Sequence, residues 1–304
     1  MSNNNNKILT IAEWVIVGIA YAYLIYKLCK VDNYSTILHS FKQAGIEECI
    51  CLVICVLLMP VNLLLESCKW REVLKNIYTL SYKNAFVQVL YGMVGAFITP
   101  YRAGDIPSRV LLLQEKKNWE AAILLGFYGG IIQTIVIVGA GIIPVYLFLQ
   151  AKVSQYIYWL LVAMVIVVGF IVILRKIHLP EYLRLTYSQK VNILLWSILR
   201  YLCWLIQFVL LLRWADIHLS FRELCLALPT YYLFIAITPN IPIADAGVRG
   251  SWAIYILGGF NISAPIAAIM AICMWIINTL LPIFCYAPFR LLLHKQNGRN
   301  NKGE

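Results

Sequence analysis

Two stretches of the chain, residues 98–109 and 237–249, follow one pattern. Each begins Ile-Thr-Pro at the end of an apolar run that is too short to cross a bilayer, and each then carries an Ala-Gly pair, an Asp and an Arg. A second short apolar run follows in both cases. Matched apolar segments that are interrupted by Gly and Pro, one in each half of a membrane protein, are typical of the substrate site of a transporter.

The composition indicates that both stretches belong to a membrane protein. Of the 304 residues, 62% are hydrophobic and only 13% are charged, whereas a soluble domain carries about a quarter charged residues. We therefore expect a single transmembrane domain over residues 1–304. The net charge of +11 comes from Lys and Arg that lie mostly in loops between apolar runs, which favours the cytoplasmic face of a membrane over nucleic acid as the partner.

Six apolar runs are near the length of about 20 residues that a hydrocarbon core of about 30 Å requires. The first is expected to be a retained helix, because no small-x-small cleavage site follows it closely. The predicted spanning helices cover about residues 9–28, 47–68, 121–149, 156–174, 191–212 and 264–289.

Four shorter apolar runs flank the two matched stretches. Residues 84–99 rise only about 24 Å at 1.5 Å per residue, and residues 106–114 rise less. Residues 224–238 and 246–258 form a similar pair. We predict two re-entrant helical hairpins, whose irregular tips need protein or water around them.

The order of spans and hairpins repeats. Residues of about 7–150 and about 151–293 each read span, span, hairpin, span, so each half crosses an odd number of times and the second half is inverted. Segments on the side of the N-terminus hold roughly 15 Lys and Arg against roughly 6 on the other side, which places both termini in the cytoplasm. The predicted fold class is an all-α integral protein of the inner (cytoplasmic) membrane, with about six spanning helices and two re-entrant hairpins arranged as two inverted repeats.

Six ionisable residues would lie at membrane depth in this arrangement. Each costs about 2.5–3.5 kcal/mol at the centre of a spanning helix. Two arrangements offset this cost and can coexist: the aspartates pair with arginines, or the surplus positive charge binds an anion. Arg200 could instead pair with Glu13 or Glu66 on a neighbouring span. The candidate substrate-binding residues are Arg102, Asp105, Arg109, Asp245, Arg249 and Arg200.

The backbone of the hairpins also favours an anion. The second short helix of each would begin just after Asp105 or Asp245, which predicts N-cap roles for both, and Pro107 suits a first helical turn. Helix N-termini and the planar fork of Arg both bind phosphate or carboxylate. The predicted hairpin tips contain Thr99, Pro100, Gly104, Pro107, Thr238, Pro239, Pro242 and Gly247.

The remaining polar and aromatic residues of the spans are assigned structural roles. Trp70 and Trp275 lie near span ends, as interfacial anchors do. Gln133, Thr134 and Asn278 are expected to form interhelical hydrogen bonds. The Cys and His residues lack metal-ligand spacing, so we predict no metal site and no cofactor.

At the hairpin tips the sequence resembles the lysylphosphatidylglycerol synthase transmembrane family, the flippase-like domain. The family's Pro-x-Arg-x-Gly-Glu-type segment, with Asp in place of Glu, is matched by Pro100, Arg102, Gly104, Asp105 and Arg109. Its second segment, of the Pro-Gly-Gly-x-Gly type, is matched more loosely by Pro239, Gly247 and Val248.

Several positions depart from the family's pattern. Residues 243–245 replace the Gly-Gly pair, Gly250 stands at the following acidic position, and no Glu-Arg pair occurs around residues 128–130. The soluble aminoacyl-transferase domain of some members is also missing, so the resemblance is to a divergent member. It implies translocation of a lipid or a lipid-linked head group, with an anionic phospholipid or a lipid-linked sugar as the partner.

Two other functions stay open on the sequence alone. An intramembrane transferase or hydrolase that acts on a lipid phosphate would use Asp105 or Asp245 as a general base. No catalytic residue is assigned, because the loops carry no clusters of carboxylates or His, and transport is favoured. A small-anion channel or carrier would use the same arginines, and a homo-oligomer is compatible with each of these functions.

Overall fold

The computed structural model describes residues 45–99, 102–113, 116–150, 183–238 and 245–288. All regular structure in these ranges is helical. In the described ranges four helices are long and apolar enough to cross a membrane, namely Ile46–Leu74, Lys116–Leu149, Tyr187–Trp214 and Ala264–Pro288. For this part of the chain the prediction of an all-helical membrane protein is confirmed, while the spans predicted at 9–28 and 156–174 lie outside the described residues.

Helices of the described ranges follow the order long, short, short, long, and this order occurs twice. The two longer of the short helices, Tyr82–Ile98 and Phe221–Ile237, both have 17 residues. The last long helix of the second set is the span Ala264–Pro288, in which a π-helical turn at Ile276–Leu280 follows the α-helix that ends at Trp275. In chain order the helices are α1 Ile46–Leu74, α2 Tyr82–Ile98, α3 Asp105–Leu111, α4 Trp119–Gln150, α5 Tyr187–Trp214, α6 Phe221–Ile237, α7 Asp245–Gly258 and α8 Ala264–Trp275.

Helices α2 and α6 begin in the same way. The hydroxyl of Ser81 accepts the backbone N–H of Asn84 at 3.2 Å, and the hydroxyl of Ser220 accepts that of Glu223 at 3.3 Å. A Ser side chain at the N-cap satisfies one of the free N–H groups of the first turn. Both helices therefore start two or three residues before the predicted apolar runs.

Helices α1 and α5 pack side by side and run antiparallel. Along the contact, the residue numbers rise on α1 while those of the bonded residues on α5 fall. The hydrogen-bonded pairs are Cys55 with Gln207, Asn62 with Arg200, and Glu72 with Asn192. These two helices hold the same place in their respective sets of four, since each precedes the pair of short helices.

The long helix α1 exposes apolar side chains, and its buried face carries ionisable and amide side chains beside apolar ones. Within the described part of the chain, Ile50, Val53 and Leu57 are more than half exposed, whereas Glu66 and Lys69 are 4% and 3% exposed. Such a distribution is the reverse of that in a water-soluble helix and suits a hydrocarbon solvent. Because Glu66 and Lys69 are on the buried face of α1, they face the charged side chains of neighbouring helices.

Candidate functional site

Glu66 lies at the centre of the largest cluster of charged side chains in the described residues. Its Oε1 accepts a hydrogen bond from Nη1 of Arg109 at 2.7 Å. Its Oε2 accepts from Nη1 of Arg200 at 2.5 Å and from Nζ of Lys69 at 2.7 Å. One buried carboxylate thus holds three cations, which come from α1, α3 and α5.

Arg109 also forms an ion pair with Asp105, four residues earlier on α3. Its Nε donates to Oδ1 of Asp105 at 2.8 Å. The pair rests against Gly92 of α2, where a Cβ atom would overlap Oδ1 of Asp105 and lie 2.6 Å from Cγ of Arg109. A residue without a side chain is required at this position, because the ion pair fills the space where the side chain would be.

The N-cap role predicted for Asp105 was wrong. Asp105 is the first residue of α3, the N-cap is Gly104, and no side chain caps the helix. The carboxylate turns instead to a guanidinium one helical turn away. In this buried pair the hydrogen bond is combined with the attraction of a full opposite charge, which a backbone N–H does not offer.

Neutral amides complete the cluster around Glu66. Asn62 accepts from Nε of Arg200 at 2.8 Å and donates to Asn278 at 3.2 Å. Gln133 accepts from Nζ of Lys69 at 3.4 Å and donates to the Ser197 carbonyl oxygen at 3.2 Å. The interhelical bonds predicted for Gln133 and Asn278 are therefore confirmed.

Thr134 does not follow that prediction, because it donates to the carbonyl of Gly130 within its own helix at 3.2 Å. Lys69 is also placed differently from the prediction, because the predicted span 47–68 ends before it. It lies inside α1, which continues to Leu74 rather than ending near residue 68. The helix can bury Lys69 because Glu66, three residues earlier, neutralises its charge.

Arg102 stands beside the cluster without an ion pair in the described ranges. It is half-buried, and it lies close enough to Arg200 for the two positive charges to repel each other. Its φ angle of 57° is in the left-handed region, which costs an L-residue about 1–2 kcal/mol. Of the described residues, the ion-paired cluster contains three cations and two carboxylates, or 3 − 2 = +1: Lys69, Arg109 and Arg200 against Glu66 and Asp105. Arg102 beside it raises the surplus to 1 + 1 = +2.

A second ion pair belongs to α7. Nε of Arg249 donates to Oδ1 of Asp245 at 2.8 Å, and Nε1 of Trp275 donates to Oδ2 of Asp245 at 2.9 Å. Asp245 is the first helical residue of α7 and its carboxylate oxygens engage side chains. The pairing alternative, in which each Asp takes an Arg, thus describes both pairs.

The prediction that Trp70 and Trp275 are interfacial anchors was wrong. Both are 2% exposed. The ring of Trp70 lies 5.3 Å from the guanidinium carbon of Arg109 and its N–H donates to Gln88 at 2.7 Å. The two indoles pack against the ion pairs, where an aromatic face stabilises a desolvated cation and the N–H finds an acceptor.

A threonine closes the tip of each pair of short helices. Oγ1 of Thr99 accepts the backbone N–H of Gly104 at 2.7 Å. Oγ1 of Thr238 accepts Nε1–H of Trp252 at 2.9 Å. Among the other predicted tip residues, Pro107 lies in α3 and Gly247 in α7, and Pro100, Pro239 and Pro242 lie outside the described residues.

The structure brings three of the six candidate residues into one cluster, namely Asp105, Arg109 and Arg200, and Arg102 lies beside it. Asp245 and Arg249 form the second pair. Aromatic side chains join the two groups: Phe97 of α2 lies 6.5 Å from Trp275, and Trp204, which lies 4.8 Å from the guanidinium carbon of Arg200, stacks on Tyr232 at 6.0 Å.

Sequence reasoning did not identify Glu66 as the centre of the site. It treated Glu66 only as an alternative partner of Arg200, and that pairing is present. A signal was available, because Glu66 and Lys69 are charged residues three apart near the end of an apolar run. Charged residues inside a span pair with one another and mark functional positions.

The described residues contain no group of three His, Cys, Asp or Glu that could hold a metal ion. Comparisons of the chain with protein-family models, with curated proteins and with solved structures find no match.

Proposed function

We propose that this protein translocates an anionic lipid head group across the membrane and binds it at the Glu66 cluster. The observation that carries the proposal is the surplus of positive charge there, +2 among the described residues, on helices with apolar outer faces. An ionised group at the centre of a bilayer costs about 2.5–3.5 kcal/mol. A negatively charged guest would offset that cost.

The donors of the cluster suit a phosphate. Arg109, Arg200 and Arg102 present planar guanidinium groups, which bind phosphate or carboxylate through two parallel N–H bonds. Arg102 would make the first contact, because its charge has no carboxylate partner in the described structure. Arg249 would receive the same group at a later stage, through N–H groups that Asp245 does not use.

The arrangement of the helices supports a transport mechanism. The repeated order of long and short helices and the antiparallel contact of α1 with α5 are features expected of two inverted repeats, in which equivalent helices run in opposite directions. We extend this to six spans and two re-entrant hairpins, with both termini in the cytoplasm. The resemblance to the lysylphosphatidylglycerol synthase transmembrane family points to a lipid as the cargo.

A leaflet-exchange assay tests the proposal. The protein is reconstituted in liposomes with fluorescent phosphatidylglycerol or phosphatidylcholine, and a membrane-impermeant quencher reports the label that reaches the outer leaflet. We expect faster exchange of phosphatidylglycerol than of phosphatidylcholine. Arg102→Gln should slow it about tenfold, the factor given by about 1.4 kcal/mol of lost binding.

Lys83→Gln is the matched control for that variant, because Lys83 is an exposed cation at the start of α2 and lies outside the cluster. It should exchange lipid at the wild-type rate. Equal rates for wild type and Arg102→Gln, or equal rates for the anionic and zwitterionic lipids, would contradict the proposed site.

A further inference from the structure

We propose that Glu66 is an internal substitute for the phosphate of the cargo: it occupies the arginines while the site is empty and is displaced when the head group binds. This inference rests on the proposed function and assigns a specific role to a residue within that site. Glu66 is then a positioning residue, which keeps the arginines paired and the site closed between transport events.

The geometry of the two arginines supports this role. Each guanidinium uses Nη1 for Glu66 and uses Nε for a different acceptor, Asp105 for Arg109 and Asn62 for Arg200. The Nε bonds fix the orientation of each guanidinium independently of Glu66. When Glu66 leaves, both forks stay directed at the space it occupied, which is a pre-organised anion cradle.

The identity of the bound group also fits an exchange. A carboxylate offers two acceptor oxygens, and a phosphodiester offers two non-bridging oxygens of similar spacing and the same formal charge. When one replaces the other, the three surrounding cations, Lys69 included, still face a single negative charge. Exchange therefore avoids any state in which buried arginines lack an anion, a state that is strongly unfavourable.

Glu66 also links parts of the molecule that transport would have to separate. Arg109 comes from α3, in the first set of four helices, and Arg200 comes from α5, which begins the second set. Both bind the same carboxylate. A head group that displaces Glu66 takes over both arginines and frees α1 from α3 and α5, so binding of the head group and release of α1 become one event.

The test measures how inorganic phosphate changes the melting temperature of the detergent-purified protein, with sodium chloride at equal ionic strength as the reference. Glu66→Gln removes the internal anion. We expect half of the maximal stabilisation at a phosphate concentration at least about tenfold lower than for wild type, since a ligand that binds only the folded state raises its stability. Glu72→Gln, the same change about two turns later on α1, should respond like wild type.

Two more variants keep the test decisive. In the double variant Glu66→Gln/Arg200→Gln a cation is removed with the anion, and the enhanced phosphate response should disappear. Glu66→Asp keeps the charge but is one methylene shorter, so it should reach fewer of its partners and bind phosphate more tightly than wild type. The inference is overturned if Glu66→Gln responds like wild type. Where Glu66→Gln does not fold with or without phosphate, a wild-type response of Glu66→Asp overturns it.

Lipid exchange separates this inference from the proposed function. Glu66→Gln should reach half-maximal exchange at a lower mole fraction of phosphatidylglycerol but with a lower maximal rate. Enhanced phosphate binding without any lipid exchange in wild type would retain the Glu66 role and remove translocation. Exchange in wild type with an unchanged phosphate response in Glu66→Gln would do the opposite.

Discussion

The two pairs of short helices, α2–α3 and α6–α7, carry the same local motif in different surroundings. In both an Arg donates Nε to the Asp four residues earlier at 2.8 Å. The first Arg is also bound to Glu66 and its side chain is 4% exposed, whereas that of the second is 18% exposed. The Arg of the first pair is thus almost completely buried, whereas that of the second keeps a small exposed fraction.

The residues that face the motif explain the difference. In α2, Gly92 and Gly95 precede Thr99 by seven and four residues. The equivalent positions of α6, counted back from Thr238, are Tyr231 and Phe234. The glycines let α3 lie directly against α2, while Phe234 stacks on Trp252 of α7 at 4.4 Å. The helices of the first pair therefore pack in direct contact, whereas aromatic side chains separate those of the second.

The largest expected effect separates the two arginines. Arg109→Gln leaves Glu66 with fewer cations and Asp105 without one, and breaking such a buried pair costs about 3–5 kcal/mol. Arg249→Gln leaves Asp245 with its bond from Trp275, and we expect about 1.5–3 kcal/mol, the range for one hydrogen bond to a charged group. Thermal unfolding in detergent measures both, and equal losses would remove the distinction between the two pairs.

The glycines of the first pair should tolerate no side chain. A Cβ at position 95 would lie 2.6 Å from the carbonyl oxygen of Gly104 and overlap the hydroxyl of Ser108. Gly95→Ala should therefore cost about 1–3 kcal/mol through overpacking. At Gly247 in α7 an added Cβ meets no atom of the described residues within 4 Å, so Gly247→Ala should stabilise by about 0.5–1 kcal/mol, because Ala is the better helix former. Loss of stability in both would contradict the packing described.

Two indole substitutions compare a charged acceptor with a neutral one. Trp275→Phe loses the bond to Asp245 and should cost about 1.5–3 kcal/mol. Trp252→Phe loses the bond to the hydroxyl of Thr238 and should cost about 0.5–1.5 kcal/mol. Chemical denaturation of the purified variants ranks the two, and the reverse order would show that the carboxylate of Asp245 does not depend on the indole.

The smallest effect on stability is expected at Arg102. Glycine adopts a φ of 57° without steric cost, so Arg102→Gly relieves backbone strain but adds conformational entropy to the unfolded chain. The difference should stabilise the fold by about 0.5 kcal/mol. Exchange of phosphatidylglycerol should nevertheless fall as it does for Arg102→Gln. Stability and lipid exchange measured on one preparation check this divergence, and a parallel fall in both would assign Arg102 a structural role.

The sequence predicted the short helices well because local chemistry sets their ends. The predicted run 224–238 corresponds to Phe221–Ile237 in the structure, and 246–258 to Asp245–Gly258. Pro239 ends the first, and the Asp and Arg four apart in the second form the expected pair. These features depend on neighbours within one or two turns, which a single sequence displays.

The centre of the site could not be located in the same way. Glu66 meets Arg109, 43 residues away, and Arg200, 134 residues away. The pairing of each arginine with a buried carboxylate depends on how α1 packs on α3 and α5. No local sequence pattern specifies the register of these helices. The burial of Trp275 was missed for the same reason.

The π-helical turn at Ile276–Leu280 lets one continuous helix serve both halves of the molecule. One extra residue in a turn rotates the later residues of the helix by about 100° relative to a regular α-helix. Trp275, before the turn, reaches Asp245, and Asn278, within it, reaches Asn62. The widened turn thus places, on one helix, a residue that binds the second ion pair and a residue that binds the amide beside Glu66.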